Sequence, residues 1–454
     1  MKPELKNNLI SLLKLAIPLV LTGLVQSGSY FFETLFLAHL NKDILAAGAL
    51  VSWLFATIAV IFFGALGSIN ITISHKYGAG KHPDIAAVLR DGLAMAILFS
   101  IPIFILSRNM APIFIFFGQT KIVATLAQSY LHALSWGIIP GFCLIALLEM
   151  LVGLGHVRTV MLFSMYSVSL TIFFSYALIF GKFGFAPFGI AGAGWGIAIG
   201  NIATFLIVLI YTLISKKYKI YLQLIFKFKS PFYFFELLRI GIPMGLMYSV
   251  EVGFFFTMTL IMGTLGTAVL AANQIAMQYL GLLMSMVFSV AQAITVRMGH
   301  LLGAKDIQSA KQTAIIGPAV SGVFMLLIGL IFWFFPSCLV SIDFNTRASQ
   351  NQELLFYTMQ FLLISPLFQI VEAIRISLFG VLRALRDTHF TLLTSIISFW
   401  FLALPIGYAL TIWFNMGGSG FWYGMILGAS ASIVMLIWRY NIKIRRLHSD
   451  ATKS

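Results

Sequence analysis

Four of the fourteen acids in this chain, Glu33, Glu149, Glu251 and Glu372, fall inside long apolar stretches rather than beside them. Burying a charge in lipid is expensive enough that such a residue is a functional candidate by default. An intramembrane carboxylate can take a proton from one side, or bind Na⁺ or a cationic compound, and release it when the surrounding conformation changes. The driving force for such exchange is ample, since moving one charge across 100 mV is worth about 2.3 kcal/mol. Glu251 and Glu372 stand near the midpoints of their stretches, Glu33 in the outer part of its own, and Glu149 nearer an end. Arg375 follows Glu372 by three residues, close enough on a helix for an ion pair. That pair either neutralises the acid for good or acts as a gate that opens when Glu372 is protonated. The plain alternative for each acid is a neutral or paired group that fixes helix packing.

The elements that must hold these acids follow from composition. Of the 454 residues, 60% are hydrophobic and 9% are charged, and the mean hydropathy is +0.98. A soluble domain is near one-quarter charged, so the solvent of this chain is mostly lipid. Runs such as "ATIAVIFFGALGSINITI" (56–73) and "AVSGVFMLLIGLIFWFFP" (319–336) are long enough to cross a bilayer as helices. Alternating strands of barrel length are absent from the pattern, which leaves a helical bundle. The fold class expected is therefore an all-α membrane protein of twelve transmembrane helices. Its spans are read at about 10–39, 45–75, 86–107, 123–153, 157–180, 192–215, 237–263, 268–299, 308–336, 352–385, 388–413 and 418–440.

The net charge of +15 has a positional explanation. With a cytoplasmic amino terminus, Lys42, Arg108, Lys121, Lys182 and Arg347 fall in outer loops and Arg375 inside a span, while the other Lys and Arg collect on the cytoplasmic side. That is the positive-inside bias, and it removes the need for a nucleic-acid partner. Both termini are expected in the cytoplasm, with "RYNIKIRRLHSDATKS" as a short basic tail and no removable signal peptide. Cys143 and Cys338 form neither a metal-ligand spacing nor a disulfide framework. No Walker lysine motif, catalytic triad, Asp-rich metal cluster or His/Cys metal site occurs, so energy is expected from an ion gradient rather than ATP and no cofactor is implied.

The chain repeats itself. "LLKLAIPL" (12–19) and "LLRIGIPM" (237–244) lie 225 positions apart, and the same offset pairs Gly28 with Gly253, Phe31 with Phe256, Thr34 with Thr259 and Leu40 with Leu265. "LAA" at 45–47 meets "LAA" at 270–272, and His75, Gly78 and Ala79 meet His300, Gly303 and Ala304. Shared apolar composition does not hold one offset through turns. Six spans in each half make the repeats parallel, two pseudo-symmetric six-helix bundles related by an axis along the membrane normal. The expected organisation is an N-lobe over 1–215, a cytoplasmic linker over 216–236, and a C-lobe with the basic tail over 237–454. "GAGWGIAIG" (192–200) and "GFWYGMILG" (420–428) carry glycines at every fourth residue, a face for close helix approach. Two lobes of this kind suit alternating access, which puts a carrier ahead of a channel or a membrane-embedded enzyme.

The acids break the symmetry. Glu251 pairs with Gln26 and Glu33 with Met258, so they were not copied with the scaffold. Gln26 and Glu33, seven residues apart, share a helix face. Pro18 and Pro366 can bend helices near a cavity. Most of the 43 Phe and 19 Met are expected to face lipid or pack between helices. His75 and His300 are expected at structural turns.

In this order and spacing, "AIPLVLTGLVQSGSYFFETLFLAHL", "GIPMGLMYSVEVGFFFTMTLIMGTLGTAVLAANQIA", "VRMGHLLGAKD", "IVEAIRISLFGVLRALRDT" and "GSGFWYGMILG" resemble the multidrug and toxic compound extrusion (MATE) family, most closely its NorM-like branch. The resemblance covers essentially the whole chain. It implies an antiporter of the plasma membrane, a bacterial inner membrane, acting as a monomer and exchanging H⁺ or Na⁺ for cationic, often aromatic drugs. It places Glu251 and Glu372 at the seventh- and tenth-helix acids of the cation site, which could hold Na⁺, and Glu33 at the first-helix acid. It also places Phe368 as an aromatic near the ion and Asn273 and Gln274 as a polar pair of the eighth helix. There are departures: the first-helix acid is Glu where Asp is usual, and a fifth-helix amide or acid pair appears as Thr171 and Ser175. Arg375 adds a cation where a neutral residue is expected, which tilts the coupling ion toward H⁺. The runner-up is a lipid-linked oligosaccharide flippase of related architecture, which would need a more basic cavity.

Overall fold

The computed structural model describes residues 3–224, 232–343, 348 and 351–453. The middle of the expected linker, 225–231, and Arg347 lie outside the described residues. The first half of the chain contains α1 (Pro3–Ala38), α2 (Lys42–Leu66), α3 (Ser68–Gly78), α4 (His82–Ser107), α5 (Ala111–Phe116), α6 (Lys121–Ser135), α7 (Ile138–Gly153), α8 (Val157–Phe180), α9 (Ile190–Ile214) and α10 (Lys219–Leu224). The second contains α11 (Phe234–Thr264), α12 (Thr267–Gly303), α13 (Ile307–Phe334), α14 (Pro336–Asp343), α15 (Gln352–Ala384), α16 (Thr388–Ser395), a π-helical segment Ile396–Ala403, α17 (Leu404–Ile412) and α18 (Ser419–Lys453).

Among the described residues, eleven helices are long and apolar enough to span a membrane, and α6 with α7, bent by 51°, completes a twelfth. The expected twelve-span, all-helical architecture is what the chain adopts. The bend in the fourth span has a local cause. Pro140 has no N–H to give the carbonyl of Trp136 one turn earlier, and the helix breaks at Trp136–Gly137. Pro18, Pro243 and Pro366, by contrast, lie inside helices that continue through them. The basic tail is also helical, because α18 runs on to Lys453. Arg439 and Lys443 on it both reach Asp387, at 2.7 and 3.2 Å.

The helices fall into two units, Leu21–Gly245 and Met1–Val20 with Leu246–Ser454. The divisions inside α1 and α11 are two residues past Pro18 and Pro243, equivalent points of the 225-residue repeat. Within the Leu21–Gly245 unit, Gly192, Gly196 and Gly200 of α9 lie against α8: a Cβ would meet the backbone of Leu178 and Ile179 at the first, Ser175 at the second and Thr171 at the third. In the other unit Gly420, Gly424 and Gly428 of α18 stand in the same way against Thr411, Gly407 and Ser398 with Ala403. The glycine faces are helix contacts, as their spacing predicts.

The described ends of the linker are tied to the Leu21–Gly245 unit. Lys76 pairs with Asp84 at 3.1 Å and donates to the Tyr233 hydroxyl at 2.7 Å, while that hydroxyl donates to Asp84 at 3.0 Å. The Tyr233 amide donates to the buried Asp91 carboxylate. Tyr221 meets His82 Nδ1 at 3.0 Å.

Candidate functional site

The second unit builds its charged centre from three helices. α11 brings Glu251, α15 brings Glu372 and Arg375 one turn apart, and α16 ends in Ser395 just before the π-helical segment. Arg375 is fully buried, and Glu251 and Glu372 nearly so. Its guanidinium forms a two-pronged pair with Glu372, with Nε donating to Oε2 at 2.7 Å and Nη2 to Oε1. Nη1 donates to Glu251 Oε1 at 2.9 Å. Ser395 Oγ donates to that same Glu251 oxygen at 2.9 Å. The planar fork is the geometry that suits arginine to two-oxygen recognition of a carboxylate.

Aromatic rings enclose the cation. Its centre lies 4.5 Å from the Phe379 ring and 4.7 Å from the Phe399 ring, within cation–π reach. Phe399 in turn lies 4.8 Å from Phe254. Phe399 belongs to the π-helical segment, whose wider turn also lets Trp400 Nε1 donate to the Val250 carbonyl at 3.0 Å. π-Helical turns recur at functional sites because they re-aim side chains. Here the segment locks α11 beside Glu251. With both acids ionised the trio carries one net negative charge, and one proton makes it neutral.

The other sequence-predicted residues divide. Phe368 is fully buried and meets the Trp422 ring edge-on at 6.1 Å, one turn from Glu372. Asn273 is fully buried, and neither atom of its amide group has a partner among the described residues. Gln274, about 100° further round α12, is exposed. Thr171 and Ser175 face the glycines of α9 in the Leu21–Gly245 unit. In that unit Glu33 is buried, with its Oε1 unpartnered among the described residues, whereas Gln26 is exposed. The structure thus brings Glu251, Glu372 and Arg375 together, and Gln26 and Glu33 differ in exposure despite their shared face.

Sequence reasoning missed several participants. Ser395, Phe379 and Phe399 carry no signal beyond lying in apolar spans. Gln369 could have been found, since it is polar, fully buried and one turn before Glu372. Arg383 is buried near the end of α15 and donates to the Tyr248 hydroxyl at 3.0 Å. Glu149, the candidate acid nearer the end of its span, accepts from Asn70 Nδ2. Among the described residues no cluster of three His, Cys, Asp or Glu could hold a metal ion.

Comparison with known proteins agrees with the repeat. The MatE family model matches residues 18–177 and again 243–409, two stretches whose starts are 225 positions apart. The probable multidrug resistance protein NorM of Oceanobacillus iheyensis is 30% identical over 442 residues, covering 96% of this chain and 97% of that one. The probable multidrug resistance protein NorM of Brucella suis is 29% identical over 436 residues, covering 95% and 92%. The crystal structure of a eukaryotic MATE transporter, AtDTX14, superimposes with a TM-score of 0.83 at 19% identity, over 98% of this chain and 99% of that one. An outward-facing multidrug resistance MATE family transporter superimposes with a TM-score of 0.87 at 18% identity, over 97% and 96%. With the family model matched twice along a twelve-span helical chain, the protein belongs to the MatE family of membrane transporters.

Proposed function

We propose that this transporter is a proton-coupled multidrug efflux antiporter that expels cationic, often aromatic compounds by alternating access of its two repeat lobes. The observation that carries the coupling ion is Arg375 seated between Glu251 and Glu372. A tethered cation already occupies the space that a coordinated Na⁺ would need, and its donors hold three of the carboxylate oxygens. A proton needs no such space. Protonating either acid leaves Arg375 one ionised partner instead of two, which frees the guanidinium to change partners and α15 to shift against α11. Deprotonation restores the two-acid clasp. Glu33, an isolated buried acid, is a second protonatable position of the other repeat.

The names of the relatives support export of drugs, and the apolar surroundings of the acids support hydrophobic cations. On this reading the protein acts as a monomer in the bacterial inner membrane with both termini in the cytoplasm, the orientation that the distribution of Lys and Arg favours. The flippase reading is not favoured, because the cation at the centre of the C-terminal repeat is already held by two acids.

The test is ethidium efflux from proteoliposomes under a pH gradient and a Na⁺ gradient imposed separately, for wild type and Glu251→Gln. Efflux driven by the pH gradient alone and lost in the variant supports the proposal. Efflux driven by Na⁺ alone, or by neither gradient in folded protein, overturns it.

A further inference from the structure

In the unit that holds Glu372, several of the buried polar atoms without a partner among the described residues lie between the start of α18 and Glu372. Ser419 Oγ, Trp422 Nε1, both amide atoms of Asn273 and Gln369 Oε1 are all buried without a hydrogen-bond partner among the described residues. Trp422, Asn273 and Gln369 are fully buried, and Ser419 is 3% exposed. Native interiors rarely leave such groups unpaired, and ordered water is what usually completes them.

Their heights in the bundle follow from packing. α12 and α15 run the same way: Gly418 packs against Val269 and Phe361 at one end, and Thr295 donates to the Gly380 carbonyl at the other. Asn273 lies one turn past Val269, as Ser365 lies one turn past Phe361. The Trp422 indole sits against Phe361 and Phe368, with centroids 6.2 and 6.1 Å away, which puts it at the level of Ser365. Gln369 follows one turn deeper, its Nε2 only 3.4 Å from Ser365 Oγ. Glu372 follows on the same face of α15. The order from the end where α18 begins is therefore Ser419, then Trp422 with Asn273 and Ser365, then Gln369, then Glu372. Successive levels are about 5.4 Å apart, a spacing that single water molecules can bridge.

We propose that Ser419, Trp422, Asn273 and Gln369 line a narrow hydrated path by which protons reach Glu372 from the end of the bundle where α18 begins. This rests on the proton-coupled reading above. Asn273 presents both a donor and an acceptor, so it can pass a hydrogen-bonded water chain in either sense. Phe361 and Phe368 keep the path narrow and exclude hydrated metal cations. At its inner end the Glu372 carboxylate is held by Arg375, whose Nη1 also donates to Glu251 and lies 3.4 Å from Ser395 Oγ.

Two measurements on the full-length protein test this. Millisecond X-ray radiolytic labelling oxidises side chains that touch bound water. Trp422 and Phe368 are expected to label in the wild type, and Phe254, equally buried but among rings, is not. Corrected for intrinsic reactivity, labelling of Trp422 and Phe368 no faster than that of Phe254 overturns the path without any variant. The second measurement is pH-gradient-driven efflux of Asn273→Leu and Gln369→Leu. The expected result is a loss of at least about tenfold in rate with ethidium binding unchanged, and folded variants that transport at wild-type rate overturn the proposal. If wild type itself shows no pH-driven efflux while Trp422 labels, the coupling reading fails and the hydrated column remains.

Discussion

Arg375 Nη1 and Glu251 Oε1 lie 2.9 Å apart across 124 residues of sequence, and the same guanidinium grips Glu372 three residues before it. A buried pair of acids is thereby joined through one cation. Removing the cation strands two carboxylates in a core that cannot solvate them, a change that costs about 3–5 kcal/mol for a broken buried pair. Arg375→Met should melt several degrees below wild type at alkaline pH and recover part of that loss at acid pH, where a proton replaces the missing positive charge. Thermal unfolding in detergent followed by tryptophan fluorescence reads this. An equal loss at both pH values would show that ionised carboxylates are not what Arg375 compensates.

The two acids should not be equivalent. Glu372 gives both oxygens to the guanidinium, and Glu251 shares one oxygen with Ser395. Glu372→Gln should therefore destabilise more than Glu251→Gln. The double variant leaves Arg375 as an unpaired buried cation and should lose more than the two singles together. The same unfolding assay ranks the three, and the reverse order of the singles would contradict the geometry.

Sodium should be a bystander. A ligand that binds only the folded state raises the melting temperature by mass action. Exchanging NaCl for choline chloride at fixed ionic strength should leave the wild-type melting curve in place. A Na⁺-dependent rise that disappears in Glu372→Gln would instead place Na⁺ in the clasp.

The scaffold was legible because its signals are long. Twelve apolar runs, an offset of 225 held through the first two spans of each half, and glycines at every fourth residue in both halves are too extended to arise from chance matches. The pairing of Glu372 with Arg375 was also legible, since three residues apart on a helix means contact. Glu251 and Arg375 were not legible as a pair, because nothing local says which faces of α11 and α15 meet. Ser395 was invisible for the same reason: one serine in an apolar span gains meaning only once the π-helical segment turns α16 toward Glu251. Helical spacing was an incomplete guide in one respect. Seven-residue spacing gives Gln26 and Glu33 one azimuth, but burial also depends on depth, and only Glu33 is covered.

Glycine substitutions separate contact from composition. A Cβ at Gly196 would collide with the Oγ, N and Cα of Ser175, and the backbone of α8 cannot step aside as a flexible side chain would. Gly196→Ala should cost about 1–3 kcal/mol by overpacking. Gly28, inside α1, has nothing within 4 Å of its added Cβ. Gly28→Ala should be neutral or stabilising by up to about 1 kcal/mol through helix propensity. Melting curves of the two variants should therefore move in different directions, and a similar loss in both would refute the close approach of α8 and α9.

The linker should release its hold at alkaline pH. Burial, reinforced by neighbouring Tyr211, pushes the Tyr218 phenol up to about 12. Burial also raises Tyr221, and it raises Tyr233 despite the opposing effect of Lys76. The unfolded chain gives up these protons near the ordinary tyrosine value of about 10, whereas the folded chain keeps them longer. The stability they contribute is present in full below about pH 10 and is lost as the pH rises toward 12. Ultraviolet titration of tyrosinate in the folded protein should show a late-ionising component that Tyr218→Phe removes. Tyr233→Phe should act at neutral pH as well, because it deletes the hydroxyl that accepts from Lys76 and donates to Asp84 while leaving their 3.1 Å ion pair intact. Its expected effect is a loss of about 1 kcal/mol, the size of an ordinary hydrogen bond, with faster proteolysis of the linker. Unchanged proteolysis in Tyr233→Phe would assign the anchoring to the Tyr233 amide and Asp91 alone.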